Sequence, residues 1–209
     1  ERSLIFFPTR YPTGFWDVGA VAHGSECEIE ECYFASDDGV RLHGWWVRRS
    51  AEGGDDPLLL FFHGNAGNLS DRADLVLELA TRLPAQVFVV GYRGYGRSEG
   101  KPTEDGLFLD ARAAWRFLTD DRGVPGERIV VFGKSLGGAV AVDLAMDVDA
   151  AGLIVESSFT SIADMARRMP QYRIFPIELI VHQRFESVAK VSRLQVPVLY
   201  IHGTDDKLV

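Results

Sequence analysis

The sequence predicts an α/β fold with a mostly parallel, doubly wound sheet, helices on both faces and an N-terminal antiparallel hairpin. Three observations lead to this class. Short, continuously apolar runs alternate with amphipathic helical patterns, as buried parallel strands joined by crossover helices do. A turn signal near the start of the chain separates two strand-like runs, which adds the hairpin. The composition, with 46% hydrophobic and 25% charged residues in a chain of 209, is that of one ordinary globular domain.

The elements follow one another in a regular order. The turn signal DDG at residues 37–39 lies between the runs 30–35 and 40–48, which pair as the hairpin. Buried strands are predicted at 58–62, 86–90, 128–132, 151–155 and 197–201. Helices are predicted at 70–83, with a cap at Asn68 or Ser70, at 104–118 and at 135–146. The strands after the hairpin are therefore expected to run parallel.

The connection between the last two strands, residues 157–196, is too long for a simple crossover. We expect one crossover helix near 186–194 and a short cap-like excursion over one face of the domain at 160–193. The excursion carries Met165, Met169, Phe175 and Ile177, which would either shape an apolar pocket or cover the core. With this excursion included, residues 1–209 are expected to belong to a single domain.

Composition and charge exclude several classes of protein. The formal net charge of −8, from 30 acidic and 22 basic residues, makes DNA or RNA an unfavourable partner. No run of 18 apolar residues predicts a membrane-spanning helix.

Cys27 and Cys32 fit no zinc pattern. In an extended strand their Cα atoms would lie roughly 16–17 Å apart, too far for a disulfide unless a turn intervenes. We therefore expect two free thiols, and neither a metal nor an organic cofactor.

The strongest chemical motif is GKSLGG at residues 133–138, directly after a predicted strand and at the start of a predicted helix. This is the G-x-S-x-G pattern in the strand–turn–helix setting that gives it meaning. Gly133 and Gly137 permit a turn in which a side chain would clash. Ser135 would stand at the helix N-terminus, where backbone N–H groups favour developing negative charge. We interpret Ser135 as a nucleophile, in preference to the N-cap of a glycine-rich helix start.

Two segments resemble nucleotide-binding motifs, but each lacks a residue that the motif requires. The GKS of residues 133–135 would need a glycine five positions before Gly133 to form a P-loop, and Arg128 stands there. Gly94 and Gly96 follow a strand as in a dinucleotide fingerprint, but Glu99 occupies the position of the third small residue. A nucleotide phosphate is therefore not the expected ligand of either loop.

A second motif, HGNAGN at residues 63–68, follows the first buried strand. A serine that attacks a carbonyl needs N–H donors aimed at the oxyanion. One donor belongs to the residue after the nucleophile, here Leu136, and the other to the loop after this earlier strand, where Asn65 is the candidate. The alternative is a Gly-Asn turn into a helix, with His63 as a polar support of the loop.

A third motif, HGTDD at residues 202–206, follows the last strand. The acid of a Ser–Asp–His order belongs at the end of such a late strand. Asp205 and Asp206 both qualify, and Glu156, at the end of the preceding strand, is a rival. The alternative interpretation is a capped turn, because Asp and Gly are common turn residues.

Five motifs in this order resemble the α/β-hydrolase superfamily, and more narrowly its small serine hydrolases with one N-terminal membrane anchor. That group includes protein depalmitoylases and serine-aminopeptidase-like sequences. The motifs are FHGNAGN at 62–68, YRGYGRS at 92–98, GKSLGG at 133–138, ESSFT at 156–160 and HGTDD at 202–206. The resemblance implies that Ser135 is the nucleophile and that Asp206, rather than Asp205, is the acid. The apolar start near Phe6 resembles the segment after the anchor, which implies a membrane tether ahead of the given sequence.

The resemblance also implies a histidine base downstream of the acid, after one more helix and strand. The histidines of this sequence, at positions 23, 43, 63, 182 and 202, all precede Asp206. We therefore expect the domain to be incomplete at its C-terminus, with a further helix–strand unit after Val209 that carries the base. Residues 197–201 would then be an exposed edge strand in the given chain. His182, in the excursion, is the alternative base.

The expected function is that of a serine hydrolase that cleaves carboxylic esters, thioesters or small amides through an acyl-enzyme. Its partner would be a small-molecule or acylated substrate. Two alternatives remain open: a membrane-tethered thioesterase that depalmitoylates proteins, and a non-catalytic binding module on the same fold.

Overall fold

The computed structural model describes residues 5–50, 56–168 and 177–206. Its strands are β1 (Cys27–Ala35), β2 (Arg41–Arg49), β3 (Leu58–Phe62), β4 (Gln86–Gly91), β5 (Ile129–Lys134), β6 (Gly152–Glu156) and β7 (Val198–Ile201). They form one sheet in the order β1-β2-β4-β3-β5-β6-β7. The pairs β1–β2 and β2–β4 are antiparallel, and β3 to β7 run parallel. The predicted mixed, mostly parallel sheet is confirmed.

The hairpin of β1 and β2 has the predicted turn and a continuous register. Cys27 pairs with Arg49 at the open end, and the pairing runs from there to the turn without a bulge. Gly39 in the turn has a φ of +81°, a left-handed conformation that glycine adopts without steric cost. Cys27 and Cys32 lie buried on the extended β1 and form no disulfide, as the sequence predicted.

The helices largely follow the predicted pattern. They are α1 (Val18–Ala22), α2 (Ala73–Arg82), α3 (Glu104–Arg116), α4 (Leu136–Leu144), α5 (Ile162–Arg168), α6 (Ile177–Ile180) and α7 (Val188–Val191). A 3₁₀ turn, Leu69–Arg72, precedes α2 and is capped by Asn68 in a capping box with Asp71. The helix predicted at 104–118 continues past α3 as a π-helical turn, Phe117–Asp121. Among the helices in the described ranges, none is long and apolar enough to cross a membrane.

The sheet separates two hydrophobic cores. Its central strand, β3, is therefore buried on both faces. Leu58, Leu60 and Phe62 pack in the core that contains α3 and α4. Leu59 and Phe61 pack in the core that contains α2. This alternation is the two-residue period of a strand, and it explains why every position of the run is apolar. The strand predicted at 58–62 is confirmed at its predicted bounds.

The strand order creates a crevice at the carboxyl edge of the sheet. The chain passes from β3 to β4 on one side and then crosses to β5 on the other side of β3. The helices that follow β3 and β5 therefore cover opposite faces, α2 in one core and α4 in the other. Ligands of open α/β sheets bind at such a switch point. The loops that carry HGNAGN and GKSLGG meet there.

The excursion between β6 and β7 contains a shorter helix than the sequence predicts. The crossover helix predicted near 186–194 is wrong in length, since α7 has only four residues. Phe185, shortly before it, has a left-handed backbone with a φ of +46°, which a helix does not accommodate. Met165 packs against the core and Ile177 is buried. Met169 and Phe175 lie outside the described residues, so a pocket formed by the excursion at 160–193 stays a prediction.

One edge of the sheet is the strand β7. Leu199, Tyr200 and Ile201 on this strand each expose about half of their surface. An apolar groove of about 310 Å³ runs beside them, lined by residues of α4, α7 and the chain after β6. The predicted exposed edge strand is confirmed.

Candidate active site

Ser135 occupies the turn between β5 and α4, where its backbone is strained. Its φ of +53° and ψ of −118° lie outside the regions that L-residues readily adopt. Such a conformation costs on the order of 1–3 kcal/mol and persists only where the surroundings impose it. Ser135 N donates to Glu156 O at 2.9 Å, and Ser135 O accepts from Gly138 N at 2.8 Å and from Ser158 Oγ at 2.9 Å. The half-buried serine is thereby fixed at the carboxyl edge of the sheet.

Two glycines make this turn possible, and Gly137 lets it pack directly against β3. A Cβ on Gly137 would lie 1.9 Å from the carbonyl oxygen of Phe62, and a Cβ on Gly133 would lie 2.2 Å from the carbonyl oxygen of Gly137. Real Cβ atoms essentially never come within 3.0 Å of another heavy atom. α4 therefore begins in contact with the end of β3, at a spacing that only glycine permits.

The loop after β3, residues 63–68, lies beside the serine, and we call it the β3 loop. A Cβ built on Gly64 would stand 3.6 Å from the Cβ of Ser135. Leu136 is the first residue of α4, where N–H groups have no acceptor within the helix and the helix dipole is positive. The structure thus brings the β3 loop, with half-buried Asn65, and the N-terminus of α4 to the same serine. That Asn65 and Leu136 donate to an oxyanion stays a prediction.

His63 is a buried support of the β3 loop. Its Nδ1 lies 2.7 Å from Gly64 O, and the Tyr92 hydroxyl donates to its carbonyl oxygen at 2.9 Å. Desolvation by burial lowers the pKa of His63 to about 4, so the ring is neutral and donates to the carbonyl from Nδ1. The rings of Tyr92 and Tyr95 pack against it. These contacts fit the interpretation of His63 as a polar support.

The predicted acid lies at the same edge of the sheet, two strands away from Ser135. Asp206 follows β7, and its Oδ2 is 3.8 Å from Nε2 of His202. Asp206 is half-buried, whereas Asp205 is exposed. Adjacent strands lie about 4.8 Å apart, so β7 is about 10 Å from β5. That Asp206 is the acid of the site stays a prediction.

The rival acid, Glu156, forms an ion pair with Lys134. Its Oε1 accepts a hydrogen bond of 2.5 Å from Lys134 Nζ. The two residues are register partners on β6 and β5, so the ion pair is built into the sheet. Because an ammonium group already neutralises this carboxylate, it is less suited than Asp206 to hold an imidazolium.

The described histidines are spread over the molecule. His23, His182 and His202 are exposed, and His43 is buried in the hairpin. Across residues 5–50, 56–168 and 177–206, no hydrogen bond joins the Ser135 hydroxyl to a histidine. Over the same ranges, no group of three His, Cys, Asp or Glu residues could hold a metal ion. The identity of the base stays a prediction from the resemblance.

Two further parts of the molecule contribute to this site without having been predicted as part of it. The backbone of the N-terminal segment pairs with Gly67 and Gly96, and the Tyr95 hydroxyl donates to Asn65 Oδ1 at 2.9 Å. Tyr95 belongs to the YRGYGRS motif, which could have drawn attention to it. The sequence of the N-terminal segment did not indicate this pairing, because backbone hydrogen bonds do not depend on a particular residue type.

A comparison with known families agrees with this geometry. Residues 55–181 match a family model described as Serine aminopeptidase, S33, which is more than half of the chain. The chain belongs to this family of α/β hydrolases. The hydrolase fold and the general class of activity are thereby shown, and the resemblance to the α/β-hydrolase superfamily is confirmed.

Individual relatives support the same assignment. An uncharacterized protein of Mycobacterium tuberculosis is 36% identical to this hydrolase over 209 residues, 100% of this chain and 71% of that protein. Alpha/beta hydrolase domain-containing protein 17B of Homo sapiens is 34% identical over 185 residues, 88% of this chain and 62% of that protein. The structure of an esterase from Pyrococcus furiosus is similar with a TM-score of 0.75, over 98% of this chain and 79% of that chain. At 23% identity, this last likeness concerns the fold alone.

Proposed function

We propose that this hydrolase cleaves carboxylic esters, thioesters or small amides through an acyl-enzyme formed on Ser135. The observation that carries the proposal is the position of this serine, which stands in a strained turn at the start of α4 and beside Gly64. Strain of this kind clusters at functional sites, where the surrounding structure maintains it. The match to a family of hydrolases supports a hydrolytic reaction.

In the first half-reaction, Ser135 Oγ attacks the carbonyl carbon of the substrate and its proton passes to a histidine base. The carbonyl oxygen takes up the electron pair, and the N–H groups of Asn65 and Leu136 stabilise the resulting oxyanion. The positive end of α4 adds to this stabilisation. Collapse of the intermediate expels the alcohol, thiol or amine, which takes the proton from the imidazolium.

In the second half-reaction, the same base removes a proton from water, which attacks the acyl-enzyme. The carboxylic acid is released and the Ser135 hydroxyl is restored. Asp206 orients the base and stabilises its charged form. The superfamily places the three groups in the chain order serine, acid, histidine, which Ser135 and Asp206 follow.

Hydrolysis of p-nitrophenyl esters and acyl thioesters, from acetyl to palmitoyl, by the full-length protein tests the proposal. We expect turnover that Ser135→Ala reduces by at least about 10⁴-fold. Ser192→Ala is the matched control, because Ser192 is exposed at the end of α7, and it should retain turnover. Rates that rise with acyl length would favour depalmitoylation of proteins as the activity.

Two outcomes would contradict the proposal. Equal turnover by the wild type and Ser135→Ala would exclude this serine as the nucleophile. Binding of acyl esters without turnover by the folded wild type would favour a binding module on the hydrolase fold.

A further inference from the structure

We propose that residues 5–11, the N-terminal strap, together with Tyr95 hold the β3 loop in its working position, which makes Tyr95 a positioning residue. The inference rests on the proposed function, in which the Asn65 N–H binds the oxyanion. It gives Asn65 two separate tasks. The backbone N–H serves the reaction, and the side chain fixes the loop.

The carboxamide of Asn65 is held by three hydrogen bonds. Its Oδ1 accepts from Phe7 N at 3.1 Å and from the Tyr95 hydroxyl at 2.9 Å. Its Nδ2 donates to the carbonyl oxygen of Ile5. These partners belong to the strap and to the loop after β4, so they are independent of the β3 loop. A side chain locked in this way also fixes the backbone from which it projects.

The strap also pairs with the backbone of both loops. Gly67 N donates to Phe7 O at 3.3 Å, and Thr9 N donates to Gly67 O at 2.9 Å. Gly96 N donates to Thr9 O at 2.9 Å, and Tyr11 N donates to Gly96 O at 3.0 Å. The strap thus connects the loop after β3 to the loop after β4.

Tyr95 and Phe6 are suited to this role because both are buried. Burial raises the pKa of Tyr95, so its hydroxyl stays protonated and remains a donor. Phe6 is 3% exposed and meets the ring of Phe185 edge-on at 6.1 Å, which anchors the strap on the core. The side chain of Phe7 is 55% exposed, so Phe7 contributes through its backbone.

The position of the β3 loop matters because oxyanion donors are effective only at about 2.7–3.1 Å from the developing charge. A misplacement of about 1 Å costs on the order of 10²-fold in rate. The centre of the loop packs poorly by itself, since Gly64 and Gly67 lack side chains and Ala66 is exposed. The strap and Tyr95 hold this part of the loop by hydrogen bonds, together with Arg72, which donates to Ala66 O.

The substitution Tyr95→Phe removes one of the three hydrogen bonds to Asn65 and keeps the ring. We expect kcat on the best ester substrate to fall about tenfold and KM to change less than about twofold, because the oxyanion exists only in the transition state. Thr119→Val is the matched control. It also removes a hydroxyl that bonds a side chain, Asp120 Oδ1 at 2.8 Å, but it lies in the π-helical turn after α3. Its kcat should stay within about twofold of the wild type.

Hydrogen exchange provides a readout that does not depend on turnover. The amides of residues 64–67 should exchange at least about fivefold faster in Tyr95→Phe. The Gly67 amide, bonded to Phe7 O, reports the strap directly. Asn65→Ala keeps its backbone N–H and loses all three side-chain hydrogen bonds, so both exchange and kcat should change more than in Tyr95→Phe.

The measurements on the Tyr95 and Asn65 variants and those on the Ser135 variant distinguish a failure of this inference from a failure of the proposed function. Unchanged exchange and unchanged kcat in Tyr95→Phe and Asn65→Ala would overturn the positioning role and leave Ser135 catalysis intact. Full turnover by Ser135→Ala would overturn the proposed function. In that case the exchange of the β3 loop would still decide whether the strap and Tyr95 hold it.

Discussion

The contact between α4 and the end of β3 fixes Ser135 relative to the β3 loop, and Gly137→Ala perturbs it directly. The added Cβ would lie 1.9 Å from Phe62 O, 2.5 Å from the Phe62 carbonyl carbon and 2.8 Å from His63 O. All three are backbone atoms, so no change of rotamer relieves the clash. Since ordinary contacts begin at 3.4 Å, the first turn of α4 must move away from β3 by about 1.5 Å.

This displacement should lower both stability and rate. Overpacking of this kind costs about 3 kcal/mol, and in a domain of this length that lowers Tm by roughly 6–12 °C. Ser135 and Leu136 move with α4 while Gly64 stays with β3. Because a shift of about 1 Å already costs on the order of 10²-fold, kcat/KM should fall at least that far in protein that still folds.

Thermal unfolding by circular dichroism and ester hydrolysis measure the two effects. Gly19→Ala on α1 is the control, because its Cβ would meet Asp17 Oδ1 at an ordinary 3.4 Å. Its Tm should stay within about 2 °C of the wild type, and its activity should be unchanged. A Gly137→Ala protein with the wild-type Tm and the wild-type kcat/KM would refute the reasoning.

Two further predictions concern stability. Desolvation lowers the pKa of His63 to about 4 and that of His43 to about 3, from an ordinary value of 6.5. Below pH 6.5 the unfolded chain therefore binds protons that the folded chain excludes. As the pH decreases from 6.5 to 4, the free energy of unfolding should fall by about 1.4 kcal/mol per pH unit for each histidine. Urea titrations measure this slope, and a slope that His43→Gln leaves unchanged would contradict the prediction. Glu104 accepts from Phe185 N at 2.7 Å, so Glu104→Ala should lose about 2 kcal/mol of stability by thermal unfolding. The exposed Glu127→Ala should lose none, and equal stability of these two variants would argue against the contact.

The sheet and the serine turn could be predicted because one physical pattern specifies each of them. β3 is buried on both faces, so all five of its residues are apolar and its bounds are visible in the sequence. Gly133 and Gly137 are required by contacts with backbone atoms, and this requirement leaves a motif. Parallel strands bring their carboxyl ends to one edge, which predicts that the β3 loop and Ser135 meet.

Other features could not be predicted, because they depend on backbone pairing or on a single contact. The strap holds the β3 loop mainly through main-chain groups, which leave no pattern in the sequence. The left-handed backbone of Phe185 keeps the helix from beginning before residue 186, and phenylalanine seldom adopts that conformation. The ion pair of Glu156 depends on the strand register that places Lys134 opposite it. Register between distant strands is a tertiary property.

Covalent labelling is the most direct test of the central claim that Ser135 is the nucleophile. A fluorophosphonate probe forms a bond between phosphorus and an activated serine oxygen and releases fluoride, and peptide mapping by mass spectrometry locates the adduct. We expect one adduct in the full-length wild type, on Ser135, and none in full-length Ser135→Ala. An adduct on a different serine, or ester hydrolysis by a wild type that the probe neither labels nor inhibits, would contradict the claim.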